Sequence, residues 1–97
     1  NFFYERIIIM EELLNQIGIT AKGEISKHGA YVVDIKDYDE YGKYFSLLDK
    51  SDLVQEVPDT AQLTIYITNI TYVSDNYQIT LLADLEEESY KLVVTNY

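Results

Sequence analysis

The chain has 97 residues, no cysteine, ten tyrosines and a formal net charge of −10, from 17 acids against seven bases. That length supports one domain with one core, and a hydrophobic fraction of 47% favours a folded domain over an acidic disordered tail. The composition excludes a disulfide framework and a thiolate metal site. The sign of the charge opposes direct binding to DNA, RNA or anionic lipid, which needs cations to displace counterions from phosphate.

Residues 2–17 read as a helix, because Phe3, Ile7, Met10, Leu14 and Ile17 fall on one apolar stripe. The longest apolar run, Ile7 to Met10, is far short of the roughly 20 residues that span a bilayer. Gly18 supplies a left-handed helix cap. A hairpin follows, with strands at about residues 20–26 and 30–36 and "SKHGA" as its turn, where Gly29 provides a positive φ.

The stretch "DYDEYGKYFSLLD" at 37–49 reads as a second helix. Asp37 followed three residues later by Glu40 is a capping-box pattern, and Asp39 and Glu40 suit the positive end of the helix dipole. Tyr38, Tyr41, Phe45 and Leu48 form the apolar stripe, widened by Tyr44 and Leu47, while Asp39 and Lys43 face solvent. Gly42 costs roughly 1 kcal/mol relative to Ala within a helix and is expected to allow close approach to the sheet.

Residues 51–60, with the single proline Pro58, read as a connector. Beyond it the period becomes two. "QLTIYIT" places Leu63, Ile65 and Ile67 on one face, and Ile70 and Tyr72 continue in the opposite phase past a bend near Asn69. A turn at "VSDNY" leads to a strand whose inner face is Tyr77, Ile79, Leu81, Ala83 and Leu85. "EEES" turns the chain into a last strand facing inward with Tyr90, Leu92 and Val94. The resulting order, α-β-β-α-β-β-β, predicts a single α+β domain over residues 1–97: a mostly antiparallel sheet with two helices packed on one face.

No motif carries catalysis. Read as a calcium loop from Asp37, the helix has Tyr41 at the fifth position and Leu48 at the twelfth, where an EF-hand needs oxygen ligands. His28 sits in a predicted turn without an orienting partner, and none of Ser26, Ser46, Ser51, Ser74 or Ser89 lies in a nucleophile elbow. Four scattered glycines make no phosphate-cradling loop. The expectation is therefore a non-enzyme without cofactor or metal. A carboxylate-based hydrolase and a small phage assembly protein that oligomerises through its sheet edges stand as alternatives.

Charge supplies the positive reading. Residues 34–88 hold thirteen acids and three bases, so this segment alone carries −10. A basic protein surface is its natural complement. Carboxylates two apart on a strand lie about 6.6 Å from one another, comparable to neighbouring phosphates on a nucleic-acid strand. Exposed tyrosines would add contact area at low entropic cost. The partner-binding candidates are Asp34, Asp37, Tyr38, Asp39, Glu40, Tyr44, Asp84, Glu86, Glu87 and Glu88. In general character the chain resembles small acidic phage-encoded inhibitors of host defence nucleases, anti-CRISPR proteins among them, through "DIKDYDEYGKYF" and "DLEEESYK". That resemblance implies inhibition in the cytoplasm of a bacterial host cell, by blocking a basic nucleic-acid-binding surface.

Overall fold

A computed structural model describes residues 2–57, 62–63 and 67–96, with side chains described for 5–57 and 67–96. Its elements are α1 (Phe2–Ile17), β1 (Glu24–Ile25), β2 (Tyr31–Ile35), α2 (Tyr38–Lys50), β3 (Gln55–Glu56), β4 (Gln62–Leu63), β5 (Ile67–Val73), β6 (Tyr77–Asp84) and β7 (Ser89–Asn96). The fold is α+β. The strands form one antiparallel sheet in the order β1-β2-β7-β6-β5-β3, with β4 also paired to β5.

Helix α1 forms as its stripe requires. Met10, Leu14 and Ile17 are buried, and Ile7 packs against the same core. Phe3 belongs to the stripe but its side chain lies outside the described residues. At the C-terminus Gly18 has φ +111°. Its N–H donates to Asn15 O at 3.1 Å, and the Ile19 N–H reaches Leu14 O at 2.8 Å. That pair of bonds is a Schellman cap, completed by burial of both Leu14 and Ile19. The β1–β2 turn likewise uses Gly29 at φ +84°, with its N–H donating to Ser26 O.

The sheet's inner face follows the period of two. Tyr31 and Val33 of β2, Ile79, Leu81 and Ala83 of β6, and Tyr90, Leu92 and Val94 of β7 are buried with the residues of both helices in one cluster. Ordinary side-chain packing therefore accounts for most of the alternation seen in the sequence.

Four expectations are corrected. "QLTIYIT" is not one strand: its two ends belong to β4 and β5, which are antiparallel partners with Leu63 opposite Thr68. Ile67 consequently faces outward, 49% exposed, and Ile65 lies outside the described residues. The expected connector contains a short strand, β3, held to β5 by the pairs Gln55–Val73 and Glu56–Tyr72. Leu85 is 40% exposed, because the strand ends at Asp84 and the turn carries Leu85 out of its inner-face phase. Gly42 makes no close approach to the sheet: among the described residues a Cβ there would meet no atom within 4 Å beyond its own helix, and the residue lies on the exposed side of α2. The close approach is at Gly23, where a Cβ would stand 2.3 Å from the Val32 carbonyl oxygen.

Candidate functional site

Helix α2 sets one wall of the site. Asp37 caps it from an extended backbone, its Oδ1 accepting from the Glu40 N–H at 2.9 Å. The side chain of Glu40 accepts from Tyr44 Oη at 2.8 Å, one helical turn along. Tyr41 and Leu48 are buried as the stripe predicts, and Asp39 and Lys43 are exposed. Tyr44 is buried as well, at 5% exposure, so it is withdrawn from the partner-binding candidates. Its position one turn before Leu48 aims the ring into the core. Burial, reinforced by the Glu40 carboxylate, pushes its hydroxyl up to about 12. Phe45, expected in the core, is only partly buried.

The β6–β7 turn sets the other wall. Asp84 Oδ1 accepts from the backbone N–H groups of Glu86 and Glu87 at 3.2 and 3.1 Å. This carboxylate serves the turn, as aspartates at such positions commonly do. Glu88 closes the turn at φ +52°, a left-handed conformation that usually falls to glycine or asparagine. Register across β2, β7 and β6 places Tyr90 opposite both Ile35 and Ala83, next to the start of α2.

The walls meet in a cluster of three tyrosines. Tyr38 stacks on Tyr41 at a ring-centroid distance of 6.0 Å and meets Tyr90 edge-on at 6.0 Å, while Tyr41 and Tyr90 are 5.9 Å apart. Tyr41 Oη is bonded to Thr68 Oγ1 at 3.1 Å, tying the cluster to β5. Burial raises the Tyr90 pKa, and the nearby Glu88, Tyr38 and Asp37 raise it further. Tyr38 remains 58% exposed.

Two adjoining depressions share Tyr38. One, of about 280 Å³, is a notch lined by Lys36, Asp37, Tyr38, Glu88 and Tyr90. The other, of about 260 Å³, is a groove lined by Tyr38, Tyr41, Gly42, Phe45, Thr68, Ile70 and Leu85. Five of those seven residues are aromatic or aliphatic, so the groove is an apolar surface. A wider depression of about 460 Å³ between α1 and the β5–β6 turn is lined by ten residues, of which only Ile9, Leu13, Leu53 and Tyr77 are apolar. That mixture makes it the weaker anchor for a partner.

Of the candidates, Tyr38 lines both depressions and Asp37 and Glu88 line the notch with Lys36, while Asp39 and Glu40 in the first turn of α2 and Asp84, Glu86 and Glu87 in the β6–β7 turn are neighbours in sequence that line neither. None of Asp37, Asp39, Glu86, Glu87 or Glu88 forms an ion pair among the described residues. Asp34 is not part of the group. It projects from the opposite face of β2, 3.5 Å from Lys91 Nζ, and lines a separate depression with Lys22 and Glu24. Tyr90, Leu85, Phe45 and Ile70 line the two depressions and were not selected by sequence reasoning, Tyr90 doing so from a largely buried position. The tyrosine directly after "EEES" was the one available signal.

Among the described residues no three His, Asp or Glu side chains are grouped as metal ligands. No described helix is long and apolar enough to cross a membrane. No family model matches the chain, and no curated protein or solved structure matches it significantly.

Proposed function

We propose that this is a non-enzymatic binding protein that engages a basic protein surface through the end of the domain built from the α2 N-terminus and the β6–β7 turn. The observation that carries the reading is an apolar, tyrosine-lined groove adjoining, through Tyr38, a notch lined by Asp37 and Glu88, neither of which forms an ion pair among the described residues. Such a surface supplies the two ingredients of a specific interface: aromatic contact area for affinity and charge for steering. In its sharpest form the partner is a nucleic-acid-binding nuclease of a bacterial defence system. The chain then acts in the host cytoplasm by occupying the basic groove meant for nucleic acid. The two-residue strands at both edges of the sheet weigh against assembly by strand pairing, since short edges offer little backbone to a neighbour.

The test immobilises the protein, challenges it with bacterial lysate at low and high salt, and identifies what is retained. Duplex DNA or guide RNA is then titrated against the isolated complex. The reading requires binding that weakens with salt, and the mimic form requires competition by nucleic acid. Binding indifferent to both would replace it with an apolar interface. Changing Glu86, Glu87 and Glu88 together to Lys should mainly slow association, because solvated rim charges steer encounter more than they hold the complex.

A further inference from the structure

We infer that the groove and the notch together accept a protein segment carrying an arginine beside an apolar side chain, the arginine in the notch and the apolar residue in the groove. This inference rests on the binding reading above and specifies the chemistry of its partner. The notch offers two tyrosine rings meeting at an interplanar angle of 68°, lined also by the carboxylates of Asp37 and Glu88 against one cation, Lys36, so that acid outnumbers base even though Asp37 Oδ1 also caps α2. A guanidinium is flat and carries its donors in its own plane. It can lie on the exposed face of Tyr38 while its edge is directed at a carboxylate. A lysine ammonium is a compact, strongly hydrated point charge that matches this geometry less well.

The groove is small for its apolar character. Pockets for small molecules run to roughly 300–1,000 Å³ and enclose the ligand. This one, at about 260 Å³, is open and suits a single side chain. Because Tyr38 lines both depressions, the two anchors sit side by side, within the reach of neighbouring residues on one peptide. Charge complementarity selects the rest of the segment: the unpaired Glu86, Glu87 and Asp39 disfavour acidic flanks.

The test uses a fluorescein-labelled peptide with one Arg-Leu pair in a polar background, read by fluorescence anisotropy against the full chain. The expected result is salt-sensitive binding that weakens about tenfold when the peptide's Arg becomes Lys or its Leu becomes Ser, in line with loss of an interface anchor. Tyr38→Ala should weaken binding by a similar factor. Glu88→Gly is the more telling variant. Glycine is at ease at the left-handed φ of residue 88, so thermal stability should hold or rise while peptide affinity falls about fivefold. No binding at millimolar peptide, equal binding of the Lys peptide, or wild-type affinity in both variants would overturn the inference. So would concentration-dependent self-association lost in Tyr38→Ala, which would make a second copy the occupant. A salt-sensitive complex from lysate that ignores Tyr38→Ala and Glu88→Gly would sink this inference while leaving the broader reading standing.

Discussion

Two corners of the molecule set tyrosines beside carboxylates, and they behave differently. At the β1–β2 corner, Tyr31 is fully buried. Its hydroxyl accepts from the Gly23 N–H at 2.8 Å and donates to Glu11 Oε1 at 3.1 Å, and Lys22 Nζ takes Glu11 Oε2 at 3.1 Å. Each polar atom there has a partner and the carboxylate has its cation. At the α2 end, Tyr38 is exposed, and Asp37 and Glu88 face a notch without an ion pair among the described residues. The same residue types hold a fold together where they are mutually satisfied. Where they are exposed and without an ion pair, as at Glu88, they are the groups that the proposed partner would engage.

The difference can be broken most forcefully at the two tyrosines themselves. Tyr31→Ala should cost about 3–5 kcal/mol, the range for deleting a buried aromatic side chain. Tyr38→Ala should cost less than about 1 kcal/mol, because an exposed ring forfeits little beyond its ring contacts. Denaturant midpoints compare the two directly, and equal losses would mean that the α2 end is structural. Gly23→Ala comes next. Its Cβ would press on the Val32 backbone, and moving that strand should cost about 1–3 kcal/mol, again read from denaturant unfolding.

High pH probes the closed regions as a group. The Tyr44 hydroxyl, pushed up to about 12 by burial and Glu40, holds its proton in the fold after the unfolded chain, near 10, has lost it. A raised folded pKa means that this contribution is fully present below pH 10 and is lost as pH rises towards 12. Tyr72 also rises to about 12, and Tyr31 rises through burial, with Glu11 adding to the effect and the Gly23 N–H opposing it. The unfolding midpoint should therefore fall between pH 10 and 12, less steeply in Tyr44→Phe. Identical profiles for the wild type and Tyr44→Phe would show that Tyr44 titrates normally.

The smallest effect separates burial from partnership. Tyr72 is 1% exposed and its hydroxyl has no hydrogen-bond partner among the described residues, unlike that of Tyr31. Tyr72→Phe removes an unsatisfied polar group and should leave stability unchanged or raise it by up to about 1 kcal/mol. A clear loss in thermal unfolding would instead reveal a partner for that hydroxyl.

Elements whose periodicity is long and whose boundaries carry their own chemistry were legible from local patterns. Sixteen residues of α1 with a glycine cap, the Asp37 cap of α2, and the alternating inner faces of β6 and β7 all appear where local rules place them. Local rules suffice there because each cap or stripe involves residues within a few positions of one another. They fail at β3, β4 and the head of β5, where strands are short and pairing with a distant neighbour decides the structure. The candidate site depends on contacts between distant segments. Tertiary structure turned Tyr44 inward, moved Asp34 to another face, and brought Tyr90 and Leu85, more than forty residues further along the chain, against Tyr38. A charge count shows how much acid the chain carries, but antiparallel register determines which carboxylates are left without a partner, and that depends on contacts absent from any local stretch of sequence.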